Sequence, residues 1–329
     1  MDRFFGAKQL ISILYLLIYL TPQNDNKTIK SKKVQLMKQQ KERLDNILVE
    51  KGFFETKSQA AGAILARKVK VNGEVLTKAG TQLNPAKEFN IEIDSMPYVS
   101  RGGFKLEKAL KEFQIDLNGK ICLDAGASTG GFTDCMLQNG ASKVYAVDVG
   151  YGQIAWKLRN HQQVVVIEKT NIRNAKLEEV YRDLFSGQEN ELQLSTAEYA
   201  EFCAMDLSFI SITKVLPNVI KLLNPEHFEI IALIKPQFEA EKSQVPKSGV
   251  IKDKNLHINI IQNIVKFSCE NNLEPINLTF SPIQGPAGNI EYLIHLKKSN
   301  NCENTQLSNI ITETVEKAHG HFNADKIKE

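Results

Sequence analysis

The stretch LDAGASTGGFTD, Leu123 to Asp134, decides how this chain is read. An apolar run ends on an acid, Asp124, and Gly126, Gly130 and Gly131 then fall within six residues. A run that stops on an acid and opens into glycines reads as a strand, a tight loop and the start of a helix. The spacing is G-x-x-x-G-G. A P-loop needs Gly-Lys-Ser/Thr, which is absent, and the dinucleotide fingerprint G-x-G-x-x-G needs glycine at 128, where serine stands. Without a phosphate partner, the glycines suit close approach of bare backbone to an uncharged or zwitterionic ligand.

Outward from this loop, short apolar runs alternate with helical stretches. The runs are ICLDAG, KVYAVDVG, VVVIEKT, EFCAMDLS, EIIALIKP, INLTFSP and EYLIHLK. Ser211–Leu223 and Asn255–Asn271 have amphipathic helical spacing. The alternation predicts a doubly wound, Rossmann-like α/β fold. SGQENELQLSTAEY is polar and patternless and reads as a surface insertion; the tail after Lys298 is polar, with a helix near Ile310 to His319.

In such a sheet, ligands sit at the carboxyl ends of the strands. Asp148 ends the strand after the glycine loop, 24 residues beyond Asp124. From there a carboxylate accepts hydrogen bonds from both hydroxyls of a ribose. A ribose without a pyrophosphate cradle points to S-adenosylmethionine. Asp124 is then expected at its amino-acid end, directly or through water. Gly126, Ser128, Thr129, Gly130, Gly131 and Phe132 pack beneath the methionine portion and ribose. Asp148 holds the ribose hydroxyls, Tyr151 and Gln153 flank the adenine, and Asp206, at a later strand end, completes the set.

Charge divides the chain unevenly. The net charge is +3, but Lys27 to Lys111 holds 18 Lys and Arg against 9 Asp and Glu, a local +9. This asymmetry suggests a basic module that meets a polyanion, or a lysine-rich solvated face. Within it, RLDNILVEKG reads as a helix stopped by Gly52, Ser58 as the cap of a helix over Gln59–Ala66, and KVKVNGEVL as a hairpin turned at Asn72-Gly73. EFNIEI can close a small sheet. YVSRGGFKLEKALKEF reads as a linker running into a helix.

The five cysteines, Cys122, Cys135, Cys203, Cys269 and Cys302, are odd in number and widely spaced. That favours free, mostly buried thiols in a reducing cytoplasm, and no His/Cys cluster has zinc-ligand spacing. At the N-terminus an apolar run of eleven residues, Leu10 to Leu20, is short for a membrane span and lacks a cleavage site. Secretion is one reading; translation from Met37, just before the first patterned segment, is the favoured one.

The motifs YVSRGGFKLEKAL, CLDAGASTGGFTD, VYAVDVGYGQIAWKLRN, MDLSFIS, LIKPQFE and GPAGNIEYL, spanning about Arg43 to Lys298, resemble the TlyA (hemolysin A) rRNA 2′-O-methyltransferases. The resemblance implies an FtsJ-like, S-adenosylmethionine-dependent catalytic domain with a Lys-Asp-Lys-Glu tetrad. The matching positions are Lys105, Asp206, Lys235 and Glu291. Lys235 would be the general base or hydroxyl polariser for a ribose 2′-hydroxyl, with Lys105 as a second cation and the two acids orienting both lysines. Position by position, a strand-end lysine, a capping aspartate and an exposed glutamate are the bland alternatives; four arriving in four family motifs outweigh them.

The basic module resembles an S4-type RNA-binding domain, with Gln59 where arginine is common and Arg67 where glycine precedes the hairpin strand. Arg43, Lys57, Arg67, Lys68 and Lys70 are candidate phosphate contacts, as is Arg101 in a linker whose glycines would let the domains reorient. The expected order is an extension (1–40), the S4-type domain (41–97), the linker (98–104), the methyltransferase domain (105–298) and the polar tail (299–329). The resemblance implies cytidine in ribosomal RNA of the small subunit, the large subunit or both as substrate; with the cysteine reading, a cytoplasmic location without a metal is expected. A non-catalytic RNA-binding assembly factor and a membrane-active, hemolysin-like protein remain the other classes.

Overall fold

The computed structural model describes residues 41–325 apart from 55, 66, 86–87, 94–96, 186–194, 300 and 303–306. The apolar Leu10–Leu20 run, Met37, most of the expected surface insertion and the last four residues lie outside the described residues. The chain divides into two compact units, Met1–Ser95 and Met96–Glu329.

In the first unit, β1 (Glu42–Arg43) leads into α1 (Leu44–Glu50), followed by α2 (Lys57–Leu65), β2 (Val69–Val71), β3 (Glu74–Val75), β4 (Gln82–Leu83) and β5 (Ile91–Ile93). Leu44 and Leu48, one helical turn apart, meet Ala60 and Ile64 of α2 and Val69 and Val71 of β2 in a small core. β2 pairs antiparallel with both β3 and β5, as the hairpin and EFNIEI readings require. Asn72 and Gly73 turn the hairpin at φ +52° and +82°, two successive left-handed residues of a type I′ turn. The cap of α2 is Thr56 rather than Ser58: the Thr56 hydroxyl accepts from the Gln59 amide, and the Gln59 side chain accepts from the Thr56 amide. Gln59 therefore braces the helix start. Arg67 adopts φ +61°, so the turn before β2 keeps the left-handed backbone that favours glycine, and a long basic side chain bears the strain.

The second unit is built on a seven-stranded sheet, and each of the seven apolar runs supplies one strand. They are β6 (Ile121–Ala125), β7 (Lys143–Val147), β8 (Val164–Ile167), β9 (Phe202–Met205), β10 (Glu229–Ile234), β11 (Leu273–Phe280) and β12 (Tyr292–Lys298). Their order is β11-β12-β10-β9-β6-β7-β8. β6 pairs in parallel with β7 and with β9, so the winding reverses at β6 and opens a crevice at its carboxyl end. Only β12 runs antiparallel, between β10 and β11. The segment between Phe280 and Tyr292 is too short for a helical crossover, which forces the strand to return.

Helices cover both faces: α3 (Gly102–Phe113), α4 (Gly131–Gln138), α5 (Lys254–Glu270) and α6 (Leu307–Asp325) are the main ones. The segment expected as a helix over Ser211–Leu223 is a 3-10 turn, Ile212–Lys214, continued by a helix over Leu216–Lys221. The helix expected near Ile310–His319 is present and longer, as α6, and its Leu307, Ile311, Val315, Ala318 and Phe322 form a buried stripe in the main core, so it is no polar appendage. Burying such side chains stabilises by roughly 1.5–3 kcal/mol each, so α6 belongs to the domain.

Two further expectations are corrected. Residues 98–104 are no free linker. Tyr98 is buried, the Val99 amide donates to the Asp134 carboxylate at 2.8 Å, and Gly102 and Gly103 open α3. A Cβ on Gly103 would strike the Tyr98 side chain, so this glycine serves close packing rather than reorientation. Cys122, Cys135 and Cys203 are buried thiols as expected, but Cys269 and Cys302 form a disulfide, joining the end of α5 to the approach to α6.

Candidate active site

The glycine loop lies between β6 and α4, and its glycines answer mainly to protein neighbours. Gly126 (φ +95°) sits where a Cβ would come within 2.6 Å of the Asp206 carbonyl oxygen. The loops after β6 and β9 can therefore touch only through bare backbone. Gly130 (φ +92°) backs onto Leu158, and a Cβ on Gly131 would collide with the Ser100 hydroxyl. Glycine thus draws three walls together, and the ligand space forms between them.

That space is two adjoining cavities at the carboxyl ends of the strands. The first, about 300 Å³, is lined by all four of Lys105, Asp206, Lys235 and Glu291, with Arg101 beside them. Gly126, Ser128, Thr129, Gly131 and Phe132 line it as well. The second, about 490 Å³, is lined by Asp148, Gln153, Thr170, Asn171 and Phe209. Gly126, Ser128, Asp206 and Ser208 border both, so the two are halves of one cleft.

The four charged residues form two ion pairs. The Lys105 ammonium meets Glu291 Oε2 at 2.6 Å, and both side chains are buried. The Lys235 ammonium meets Asp206 Oδ1 at 2.6 Å and donates to the Ser208 hydroxyl at 2.9 Å. Burial pushes the Glu291 carboxyl above its ordinary pKa, against the pull of Lys105 and then Lys235; the Asp206 charge adds to the rise. Glu291 thus feels both lysines and the other acid. A Cβ on Gly285 would lie 2.5 Å from Glu291 Oε1, which accounts for the glycine that opens GPAGN.

In the second cavity, Asp148 is held by its own surroundings. Its Oδ2 accepts the Ser128 amide at 2.8 Å and its Oδ1 the Gly150 amide at 2.6 Å. These bonds fix the carboxylate at the end of β7, and each oxygen keeps a lone pair for a further donor. Glu168 pins the same turn through the Gly152 amide and a two-point pair with Arg159.

Three expected cofactor residues lie elsewhere. Asp124 is fully buried behind the loop and lines neither cavity. Its Oδ2 takes the Thr133 hydroxyl at 2.5 Å, its Oδ1 has no partner, and burial pushes its pKa up to about 7. Gly130 packs on Leu158, and Tyr151 is 72% exposed with Lys169 over its ring. Of the expected RNA contacts, Lys57 and Arg67 are exposed and Lys68 and Lys70 half-buried, whereas Arg43 is tied to Asp45 through two hydrogen bonds. Ser208, Thr170 and Asn171 were not anticipated. The signal for Ser208 was its place two residues beyond Asp206 in MDLSF.

Residues 98–298 match the FtsJ-like methyltransferase family, and residues 42–88 match the S4 domain. Hemolysin A of Brachyspira hyodysenteriae is 43% identical over 253 residues, covering 77% of this chain and 98% of that protein. The chain belongs to the TlyA (hemolysin A) family. Another similar protein, named 16S/23S rRNA (cytidine-2′-O)-methyltransferase TlyA, comes from Mycobacterium tuberculosis; it is 38% identical over 256 residues, 78% of this chain and 89% of its own length. Among solved structures, a candidate hemolysin of Streptococcus thermophilus, 38% identical, covers 87% of this chain and 98% of its own with a TM-score of 0.65. Among the described residues no helix is long and apolar enough to cross a membrane.

Proposed function

We propose that this protein transfers the methyl group of S-adenosylmethionine to the ribose 2′-oxygen of a cytidine in ribosomal RNA, in the cytoplasm, on the small or the large subunit. The observation that carries the reading is the meeting of two Lys–carboxylate ion pairs in one cavity that opens into a second, carboxylate-bearing one.

The residues present fit the cofactor. Asp148 offers two fixed oxygens at a strand end for a pair of ribose hydroxyls, with Gln153, Thr170 and Asn171 around the same space. The glycine loop brings no lysine or arginine of its own, which suits a zwitterion better than a phosphate. Buried Asp124 would support the loop from behind rather than touch the ligand. When bound, the cofactor supplies a sulfonium-borne methyl group, an acceptor for the electron pair of an attacking oxygen. The chain's own work is at that oxygen. Lys235, once its ammonium has released one proton to solvent, would take the 2′-hydroxyl proton as that oxygen's electron pair is committed to the methyl group. Asp206 balances the ammonium so formed, and Lys105, neutralised by Glu291, places a further donor at the same cavity. Alignment supplies much of the rate.

The basic residues of the first unit, Lys57, Arg67, Lys68 and Lys70, would grip phosphates without reading sequence, and Arg101, lining the first cavity, would hold a phosphate beside the target ribose. Arg43, already paired, would contribute less. Mapping ribose methylation on ribosomal RNA from cells with and without this gene tests the reading. A cytidine 2′-O-methyl mark that vanishes with the gene is expected. Identical maps would refute the substrate.

A further inference from the structure

The cleft contains a side chain that the two ion pairs do not account for. Ser208 borders both cavities and accepts a hydrogen bond from Lys235. A lysine amine that is to receive a proton has two N–H bonds and one lone pair on a tetrahedral nitrogen. At Lys235 Nζ the structure shows one hydrogen bond, donated to Ser208 Oγ at 2.9 Å, and one ion-pair contact, with Asp206 Oδ1 at 2.6 Å. Both partners belong to one short segment after β9, on one wall of the first cavity. Ser208 and Asp206 thereby hold the nitrogen at that wall, where it borders the cavity. Without the serine, the ion-pair contact with Asp206 alone would hold it there.

The segment holding Ser208 is braced for such a task. Phe209, the next residue, is held at φ +62°, an outlier for an aromatic side chain that persists only when its surroundings over-determine it. The brace is Glu239. It accepts the Ser211 hydroxyl at 2.6 Å and the Ile212 amide at 2.8 Å, and it ends the helical turn Pro236–Glu239 that starts directly after Lys235. Phe209 and Phe238 also pack ring to ring, with centroids 4.9 Å apart. The serine and the lysine are thereby fixed by the same small construction.

We propose that Ser208 is a positioning residue that, by its hydrogen bond to Nζ beside the Asp206 ion pair, holds Lys235 in place to take the proton of the substrate hydroxyl. The proposal rests on the reading of Lys235 as the proton acceptor and deepens it. The protons balance when the ammonium first releases one proton to solvent through the open cleft; the hydroxyl proton then restores the ammonium, still bonded to Ser208 and paired with Asp206.

Ser208→Ala and Ser208→Thr, with Lys235→Ala as reference, test it on purified protein and ribosomal subunits. Threonine keeps an acceptor oxygen and alanine removes it. Ser208→Ala is expected to lower kcat about 10- to 100-fold, with KM for RNA and the cofactor dissociation constant within about twofold of wild type. Ser208→Thr is expected to restore most of kcat. The cofactor-free protein gives an independent readout: the ¹⁵Nζ–H signal of Lys235, assigned by its absence from Lys235→Arg, is expected to persist in wild type and Ser208→Thr and to broaden away in Ser208→Ala. Wild-type kcat in Ser208→Ala, a loss confined to KM or cofactor affinity, an unchanged Nζ signal, or failure of threonine to rescue would each overturn the proposal. If Lys235→Ala itself retains near-wild-type transfer, the reading of the whole site fails. If Lys235→Ala is inactive while Ser208→Ala is fully active, only the role of Ser208 falls.

Discussion

The cations of the two units are treated in opposite ways. In the catalytic unit, Lys105 and Lys235 are buried, and each is locked to a carboxylate at 2.6 Å. In the first unit, Lys57, Arg67, Lys68 and Lys70 make no ion pair among the described residues, and Arg43 alone is committed to a partner. The contrast follows from what each charge has to do. Moving a proton requires an atom held to a few tenths of an ångström, so the protein bears the desolvation cost and compensates with paired charges. Attracting a phosphate backbone needs charge near the surface and little geometry, so the side chains need no ion-pair partner.

The two modes should respond differently to substitution. Glu291→Ala leaves Lys105 as an uncompensated buried charge. We expect loss of methyl transfer by a factor of a thousand or more and a stability loss of about 3–5 kcal/mol, read by turnover on ribosomal subunits and by urea unfolding. A catalytic loss without a stability loss would mean that the pair is less buried than described.

Asp124 sharpens the contrast, since it is a buried carboxylate with no cation. Its pKa is raised from 3.8 in the unfolded chain to about 7, so the native state binds the extra proton between those values. Its contribution to stability is fully present below about pH 4, falls as pH rises through that window and is level above about pH 7. The whole drop is about 4 kcal/mol at most, at about 1.4 kcal/mol per pH unit. Asp124→Asn should remove this slope, so that the variant gains on wild type between pH 5 and pH 8 in urea unfolding. Parallel stability profiles would show that Asp124 is ionised in the native state.

The unpaired set should give smaller, salt-sensitive effects. Lys57→Ala, Lys68→Ala and Lys70→Ala together are expected to weaken RNA binding roughly 10- to 100-fold and to flatten its logarithmic salt slope by about 2 to 3, leaving cofactor affinity unchanged. An unaltered slope would place the RNA elsewhere. Smallest of all, Arg67→Gly should stabilise the first unit by roughly 0.5–1 kcal/mol, because glycine adopts φ +61° without strain, while RNA affinity falls a few-fold. If RNA affinity does not fall, arginine at this position has no functional return for its strain.

The same contrast governs what could be read from the chain. All seven strands were legible because each is a short apolar run bounded by polar turns, the inner ones β6, β7, β9 and β10 being buried on both faces. The four charged residues of the first cavity were legible only through family motifs, since a strand-end lysine and a scattered acid carry no periodic signal. The helix at α6 is legible, but its place in the core is not, because its buried stripe alternates with Thr, Glu, Lys and Asn, and even Thr314 and His319 are buried within it. The Cys269–Cys302 pairing spans 33 residues and depends on how α6 returns to α5, which spacing does not encode. The glycines of SRGG were read as freedom, whereas Gly103 is fixed by Tyr98. Tyr151 was assigned to adenine by its place after Asp148, but its turn carries the ring to the surface. Ser208 was passed over because a serine beside an acid is unremarked until the lysine from the next strand arrives against it.

The most direct measurement pairs calorimetric binding of S-adenosylmethionine with transfer of its labelled methyl group to purified ribosomal subunits, for wild type and Lys235→Ala. The account predicts cofactor binding within a few-fold of wild type and transfer lowered by a factor of a thousand or more. Transfer near the wild-type rate with the cofactor bound would contradict it.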